Sequence, residues 1–347
     1  MTRQTRGLLL IWVAAVVWGC GPAEAASGDQ WKTKLGVSLG YDDNVFQYSE
    51  ADIALFRADT SPDRFGFPSV GDFFSTWEAD AGKTISRRGK SSTDLDLDLR
   101  ATVYRRDTEA NNWRIRVGLE HHFDASRWLR WRVYYTPRTF LRRLYDRGTG
   151  SHLPATYATK GMELAWGQRL SPLWSGQVGV GWEQRDYNQA FPERDSQAVS
   201  PFVRTTYAIS DRWSSRFDLY REWSEAQGHD WAPSRHADVT YVETGGALGI
   251  RYDADQRSSY EAQWRPNWRR YTTALSPDLD PWHSGRSDRE SILRLSYQRQ
   301  LDRRHRVEFS WTRDDNTARV SSLAPSTTGE GLGYRENIVQ VGYVVGF

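Results

Sequence analysis

The sequence has a single cysteine, Cys20, among its 347 residues, and it has no charge excess, with 46 Lys and Arg against 44 Asp and Glu. A lone cysteine in the N-terminal segment excludes a disulfide framework and a cysteine metal site from the rest of the chain. The balanced charge, without a basic block, gives no indication of nucleic-acid binding. Beyond the N-terminal segment there is no run of about 18 apolar residues, which excludes transmembrane helices.

The N-terminal segment has the features of a signal peptide. Two arginines precede an apolar stretch that ends at Trp18, and an Ala-Glu-Ala cleavage site ends at Ala25. We therefore predict a signal peptide over residues 1–25 and an outer-membrane β-barrel over 26–347. Lipidation of Cys20 is the less favoured alternative, because the bulky Trp18 fits a lipoprotein box poorly.

The rest of the chain alternates apolar and polar residues, which predicts strands with one apolar face. The alternation is clear from Val339 to Phe347, and within 93–106 leucines alternate with aspartates. Most segments of this kind have about ten to fourteen residues, enough to cross a membrane when tilted. The predicted strands cover approximately 31–46, 73–85, 93–106, 112–123, 128–140, 159–170, 173–186, 197–209, 213–226, 240–253, 258–271, 289–300, 305–316 and 334–347.

The connections between these segments alternate in length. Those after even-numbered segments are short turns, whereas the long polar ones follow odd-numbered segments, at 47–71, 142–158, 272–288 and 317–333. This asymmetry is typical of outer-membrane barrels, which have short periplasmic turns and long extracellular loops. We therefore predict an all-β fold: a transmembrane antiparallel up-and-down β-barrel of about 14 strands in the bacterial outer membrane, with both termini periplasmic.

Aromatic residues are abundant, at 14% of the chain with 17 Trp. Trp128, Trp174 and Trp213 each follow a short turn, and other tryptophans recur near the opposite strand ends: Trp113, Trp182, Trp223, Trp268 and Trp311. The spacing predicts two belts of indole rings at the membrane–water interfaces.

The polar positions of each strand are predicted to face the barrel interior. The arginines among them are predicted to line a pore: Arg100, Arg114, Arg116, Arg130, Arg132, Arg185, Arg204, Arg216, Arg265, Arg294 and Arg306. Acidic residues share this face, so one interpretation is a charge ladder, such as Glu120 beside Arg130, which stiffens the wall and selects nothing. The other interpretation is a pore that favours anions, because rings of Arg or Lys attract them and guanidinium groups pair with carboxylates.

Short acidic motifs end the first and thirteenth predicted strands. Because both strands lie near the barrel seam, the motifs are predicted to lie close together at the extracellular rim: Asp42, Asp43, Asn44, Asp314, Asp315 and Asn316. Asp and Asn often begin loops, and we favour that role over a Ca²⁺ site. No metal and no cofactor is predicted. The chain lacks H-E-x-x-H, G-x-S-x-G and phosphate-loop motifs, so we predict that it is not an enzyme.

The motif G-Y-D-D-N-V-F at residues 40–46, the signal peptide and the terminal Phe347 together resemble the β-barrel porin 2 family. The resemblance implies a barrel associated with passage of a polysaccharide across the outer membrane. We therefore predict a channel that exports an anionic exopolysaccharide, with outer-membrane lipid around it and a periplasmic export partner. Two alternatives remain open: a nutrient-uptake porin for small anionic sugars or acids, and a plugged structural barrel.

Overall fold

The structure, a computed structural model, describes residues 30–347 apart from 60–62, 147, 231–237, 281 and 321–332, and only the backbone of 229–230. The predicted signal peptide lies outside the described residues. The strands are β1 Lys32–Asp42, β2 Asp72–Arg88, β3 Ser91–Tyr104, β4 Asn112–His122, β5 Arg127–Asp146, β6 Ser151–Arg169, β7 Trp174–Tyr187, β8 Ser196–Ala208, β9 Trp213–Ala226, β10 Tyr241–Asp253, β11 Ser258–Tyr271, β12 Ser287–Gln300, β13 His305–Arg319 and β14 Gly333–Gly346.

These strands form a closed antiparallel barrel in which each strand pairs with its neighbours in the chain. The barrel closes where β1 pairs with β14, with Val37 opposite Tyr343 and Leu39 opposite Val341. The described strands therefore leave no free edge to which another strand could add. The predicted antiparallel all-β barrel of about 14 strands is confirmed.

Side chains alternate between the two surfaces of the barrel wall. On β1 and β14, Leu39, Val341 and Tyr343 are exposed on the outer surface, whereas Ser38 and Gly342 between them face the interior. The other strands repeat this alternation and leave large apolar side chains on the outside. Such a surface is stable in lipid, and closure pairs backbone groups that an open sheet would leave free. The protein is therefore a transmembrane barrel of the bacterial outer membrane.

Helices are few in the described chain. The helix α1 spans Glu50–Arg57, and short 3-10 helices span Thr108–Ala110, Pro192–Arg194 and Gln227–Asp230. A capping box begins α1: the Ser49 hydroxyl accepts a hydrogen bond from the Asp52 backbone N–H at 3.1 Å, and the Asp52 carboxylate accepts one from the Ser49 backbone. Among the residues described, no helix is long and apolar enough to cross a membrane.

The two ends of the barrel differ in their connections. At one end they are tight: β2 ends at Arg88 and β3 begins at Ser91, and Gly89 supplies the positive φ of 60° that the turn requires. At the other end they are mostly long, as at 43–71 and 272–286. The long end is the predicted extracellular end, and this orientation remains a prediction.

One predicted connection is wrong. The sequence pattern predicts a loop over 142–158, but β5 continues to Asp146 and β6 begins at Ser151. The pairing of β5 with β6 shifts register after Thr136 and again after Phe140, and each shift interrupts a period-two pattern. The two strands are consequently longer than their neighbours β4 and β7.

Residues 43–59 and 63–71, which we call the cap, form a packed unit at the long-connection end. Four buried aromatic residues contact one another in its core: Phe46, Tyr48, Phe65 and Phe67. The sequence predicts that the first strand extends to Phe46, but β1 ends at Asp42. Phe46 is only 3% exposed and packs in the cap core instead, because an apolar ring is more stable buried there than in water.

The cap is fixed to the β5–β6 hairpin. The Phe140 ring of β5 packs edge-on against Phe46, with 5.2 Å between ring centroids. The Arg142 guanidinium lies 5.6 Å from the centre of the Tyr48 ring. A second cluster in the same hairpin contains the buried Leu144 and packs against partly buried residues such as Tyr187. One face of the hairpin end is therefore covered by protein, whereas Tyr145 remains 56% exposed.

Candidate functional site

The inner wall of the barrel is the candidate site. All the arginines predicted to line the interior lie on the inner face, opposite the exposed apolar side chains. Their role in a solute path remains a prediction. Nine of them, on β3, β4, β5, β8, β9, β11, β12 and β13, are here called the arginine belt: Arg100, Arg114, Arg116, Arg132, Arg204, Arg216, Arg265, Arg294 and Arg306.

Carboxylates in the arginine belt are shared. Asp98 lies 3.6 Å from Arg114 and 3.7 Å from Arg116. The same sharing occurs at Glu163 between Arg132 (4.0 Å) and Arg204 (3.0 Å), at Asp218 between Arg204 (4.0 Å) and Arg216 (2.8 Å), and at Glu308 between Arg294 (3.4 Å) and Arg306 (4.0 Å). Seven arginines thus share four carboxylates, which leaves a surplus of three positive charges among these residues.

Two further inner-face arginines show opposite extremes of pairing. Arg265 has no ion-pair partner among the described residues, and its guanidinium donates to Gln263 Oε1 at 2.9 and 2.6 Å. Arg130 forms an ion pair with Glu120 on the adjacent strand. The predicted pairing of Glu120 with Arg130 is therefore present, and the wall contains both an arginine in an ion pair and one that is hydrogen-bonded to an amide.

Nearer the long-connection end, inner-face carboxylates bind tyrosine hydroxyls, and we call this set the tyrosine–carboxylate row. The hydroxyls donate from Tyr220 to Glu243 (2.6 Å), from Tyr241 to Glu222 (2.6 Å) and from Tyr334 to Glu290 (3.0 Å). Arg269 also donates to Glu243, at 2.8 Å. Glu243 and Glu290 are inner-face acids that the sequence analysis missed. Both lie within the predicted strands 240–253 and 289–300, and their parity, opposite to that of the outward-facing Leu248 and Leu293, would have identified them.

Arg185 belongs to this row and not to the belt. Its guanidinium donates to Glu183 at 2.7 Å and to the Tyr241 hydroxyl at 3.3 Å. The Tyr134 hydroxyl binds the same carboxylate, Glu183, at 2.7 Å. The interior is thus layered, with tyrosine-bound carboxylates nearer one end and a surplus of guanidinium groups deeper in the wall.

Aromatic rings on the inner face lie over glycines of the neighbouring strand. The pairs are Phe74 over Gly40, Trp128 over Gly167, Tyr134 over Gly161, Phe202 over Gly179 and Tyr220 over Gly245. A Cβ at any of these glycines would overlap the ring. The rings therefore lie against the wall, in the space that a larger residue would occupy.

The predicted position of Trp128 in an interfacial belt is wrong. The sequence places it in an interfacial belt with Trp174 and Trp213, which are indeed exposed on the outer surface, at 46% and 44%. Trp128 instead shares the inner face with Arg130 and packs over Gly167. The position after a short turn does not fix the side of the wall; the parity of the strand does.

At the predicted rim, Asp42 ends β1, and Asp43 and Asn44 begin the cap. Asp42 is buried, and it accepts hydrogen bonds from the Asn44 backbone N–H at 2.9 Å and from the Tyr104 hydroxyl at 3.2 Å. Asp43 accepts two from Asn337 of β14, at 2.6 and 2.9 Å. These carboxylates thus hold the loop start against the barrel end, which is the structural role favoured above.

The second predicted rim motif, residues 314–316, lies on β13, which pairs with β14. Asp314 is opposite Glu336 and accepts a hydrogen bond from Tyr334 at 3.1 Å, and Asp315 pairs with Arg313 and Arg335. Asn316 is opposite Tyr334. The two motifs therefore flank β14 at the same end of the barrel. In the part of the chain described, no group of three or more His, Cys, Asp or Glu is placed to hold a metal ion.

Some ionisable groups outside the spanning strands are shifted by their surroundings. Burial raises the pKa of Asp107, in the β3–β4 connection, to about 6, and the charge of Asp72 acts in the same direction. Burial also raises the pKa of Tyr48 in the cap core. A hydrogen bond from His152 lowers the pKa of Asp63.

Comparison with known proteins finds similarity only among solved structures. No family model matches the sequence. No curated protein matches it. OmpT, an outer membrane protein of Vibrio cholerae, has a TM-score of 0.47 at 10% identity, over 94% of this chain and 100% of that one. The outer membrane channel DcaP of Acinetobacter baumannii has 0.47 at 10%, over 94% and 99%. An anion-selective porin from Comamonas acidovorans has 0.45 at 8%, over 92% and 99%.

These scores and identities are too low to carry function from those proteins to this chain. The resemblance to the β-barrel porin 2 family likewise remains a prediction.

Proposed function

We propose that this protein is a channel of the outer membrane whose arginine belt gives it a preference for anionic solutes. The observation that carries the proposal is the sharing of four carboxylates by seven arginines. A passing anion offers these guanidinium groups a partner that the wall supplies only in part. In this proposal both termini face the periplasm, and the cap lies at the cell surface.

The surplus charge is large enough to matter. Two unit charges 4 Å apart interact by about 4 kcal/mol at an effective dielectric constant of about 20. Desolvation of the anion offsets a large part of this energy. A remainder of only about 1.4 kcal/mol still changes the occupancy of the belt by an anion about tenfold.

Reversal potentials in planar bilayers under a KCl gradient test the proposal. We expect the wild-type channel to favour Cl⁻. Replacing Arg130→Glu and Arg132→Glu together should reduce or invert this preference, because both side chains face the interior. The control Arg303→Glu carries the same type of change in the exposed β12–β13 turn and should leave the potential close to wild type.

A wild-type channel that prefers K⁺ would refute the charge assignment. The tyrosine–carboxylate row would then dominate the selectivity, and the belt would act only as a brace for the wall. A barrel that folds but conducts no ions would instead support the plugged structural alternative.

For the solute we propose sugar acids, and for the direction, export of an anionic exopolysaccharide. The guanidinium groups of the arginine belt can pair bidentately with the carboxylate of a sugar acid. Arg204 is held in place for this by the Phe202 ring, whose centre lies 4.2 Å from its guanidinium. The family resemblance implies passage of a polysaccharide, and we propose that a periplasmic partner delivers the polymer. Loss of surface polysaccharide on deletion of the gene would support export, and an unchanged surface would count against it.

Uptake of small anionic sugars or acids is the second candidate, and the cap favours it. The cap is anchored to the β5–β6 hairpin through buried aromatic rings, and a fixed body at one end of the barrel hinders a polymer more than a monomer. Liposome swelling with glucuronate and with its oligomers distinguishes the two candidates. Swelling with the monomer alone indicates uptake, whereas entry of oligomers indicates a polymer path.

A further inference from the structure

Three arginines lie close together on the outer surface of the barrel wall, at its long-connection end. Arg270 is the second-last residue of β11, Arg289 is near the start of β12, and Arg319 ends β13. Each has the parity of a residue that its own strand exposes on the outer surface, namely Trp268, Leu293 and Phe309. All three arginines are exposed. We call them the outer arginine triad.

The strand register places the triad around one serine. Arg270 and Arg319 are both directly opposite Ser287 of β12, one from each side. Arg289 follows Ser287 by two residues on the same face, so it is a diagonal neighbour of both other arginines, with about 7–8 Å between Cα atoms. Side chains as long as arginine on three adjacent strands can therefore direct their guanidinium groups to one anion above Ser287.

The charge of the triad is not neutralised by the protein. Among the described residues, no ion pair involves Arg270, Arg289 or Arg319. The outer face of β11, β12 and β13 carries one carboxylate, Asp315, and it is already bound by Arg313 at 2.6 Å and by Arg335 at 2.9 Å. Three positive charges thus remain without a counter-ion on a small area of the wall.

The triad lies at the depth of lipid headgroups. Trp268 precedes Arg270 by two residues and is directly opposite Arg289. Its ring is 45% exposed on the outer surface, and the Arg289 guanidinium lies 5.9 Å from the ring centre. Outward-facing tryptophans near the strand ends of a membrane barrel lie at the membrane–water interface. Arginines at this depth extend their charged ends toward the headgroups.

The unneutralised charge is confined to one part of the circumference. Near the same end, the described outer faces of β1, β2 and β3 carry Tyr41, Phe73 and Val103. On β6, Lys160 is neutralised by Asp186 of β7, at 2.8 Å. The triad is therefore a local feature of β11–β13, as expected for a binding surface and not for a general preference for basic residues at the interface.

We propose that the outer arginine triad binds a phosphate group of a glycolipid in the leaflet at the long-connection end, which is the outer leaflet in the proposed orientation. A phosphate monoester carries up to about two negative charges and three strong acceptor oxygens, one for each guanidinium, and the Ser287 hydroxyl can donate as well. The acyl chains of the same lipid would pack on apolar outer-surface residues nearer the membrane centre, such as Trp264 and Leu293. The inference concerns the outside of the wall and does not depend on the channel function.

Native mass spectrometry of the detergent-solubilised barrel tests the surface. The probes are lipid A, an acylated glucosamine disaccharide with two phosphate monoesters, and the same lipid without its phosphates. We expect the wild type to bind the phosphorylated lipid about tenfold more tightly or better. The triple variant Arg270→Gln, Arg289→Gln and Arg319→Gln should bind both lipids equally. Equal binding of the two lipids by the wild type would overturn the proposal.

Two further variants separate the triad from overall charge and from misfolding. Arg257→Gln, Arg299→Gln and Arg303→Gln together remove the same charge from exposed positions at the short-turn end of β11 and β12 and should keep the wild-type preference. Ser287→Asp retains all three arginines but supplies a carboxylate between them, so it should abolish the preference without removing a charge from the wall. If the two triple variants weaken binding equally, the effect is one of net charge and the proposal is overturned.

The same spectra distinguish the other possible occupants of the triad. Inorganic phosphate that binds as tightly as the phosphorylated lipid would show a site for the free anion and would overturn the lipid as the occupant. An oligomer of the barrel that dissociates in the triad variant would show that a second copy of the chain covers these arginines, and this result too would overturn the proposal.

Discussion

The side chain of Asn44 is the most informative single position at the barrel end. It is 2% exposed, and its Nδ2 donates to the backbone carbonyls of Tyr48 at 2.8 Å and of Arg335 at 2.9 Å. Its Oδ1 accepts from the Tyr48 backbone N–H at 2.9 Å. One amide group thus ties the first turn of the cap to the last strand of the barrel, and Asn44→Ala removes all three hydrogen bonds.

The expected cost follows from these contacts. A buried hydrogen bond contributes about 0.5–1.5 kcal/mol net, so three of them contribute about 3 kcal/mol. The Ala variant also leaves the backbone groups of Tyr48 and Arg335 without this partner. A change of about 3 kcal/mol shifts the equilibrium between the closed and the open cap by about 100-fold.

Hydrogen exchange followed by mass spectrometry, with the barrel in detergent micelles, measures this shift. Peptides of the cap should exchange about two orders of magnitude faster in Asn44→Ala, while peptides of the barrel strands stay protected. The control Asn112→Ala removes a single longer bond, 3.2 Å to the Ala110 carbonyl, from an exposed side chain and should change little. Unchanged exchange in the cap, or equal loss of protection throughout the barrel, would refute the anchoring role of Asn44.

Three other expectations concern the loops, the wall and the cap. Burial raises the pKa of Asp107 from 3.8 to about 6, so folding favours the protonated form, and the stability it confers at low pH is lost as the pH rises through about 6. Asp107→Asn should therefore melt close to wild type at pH 4 and above it at pH 7. Gly179→Val would overlap the Phe202 ring and should lower the melting temperature, whereas Gly82→Ala meets only ordinary contacts and should not. Replacing 50–57 by a short Gly-Ser linker should raise the single-channel conductance at unchanged ion preference; an unchanged conductance would show that the cap does not restrict the mouth.

The barrel strands could be predicted because each surface of the wall has one environment, lipid on the outside and the barrel interior on the inside. In a strand such as β14, one face contacts lipid and the other faces the interior. Apolar and polar residues therefore alternate along the strand with a period of two. Val339, Val341 and Tyr343 on the outside, with Gln340 and Gly342 between them, show this directly. The same reasoning places the predicted arginines on the inner face.

The cap and the upper β5–β6 hairpin escaped prediction because protein covers them. Phe140 packs against the cap and Leu144 against a second cluster. The register also shifts after Thr136 and after Phe140, so the apolar residues of the hairpin do not follow a period of two. The helix α1 had a local signal, a Ser49-x-x-Asp52 capping box, which an analysis of strand alternation does not consider.

The sharing of carboxylates could not be read from the sequence, because it depends on pairing across several strands. Arg204 on β8 reaches Glu163 on β6 with two hydrogen bonds of 3.0 and 3.1 Å. It passes over the intervening strand β7, where Gly181 stands opposite Glu163. Only the register of three strands together brings these two side chains into contact.

The anchors of the cap have a consequence for the order of assembly. Asp43 and Asn44 hold Asn337 and Arg335 across sequence separations of 294 and 291 residues, and β14 is the final strand of the barrel. Contacts of such long range form late, since the intervening chain must first be ordered. These contacts of the cap can thus form only after the barrel has closed. Its protection from a protease therefore reports, molecule by molecule, that insertion is complete.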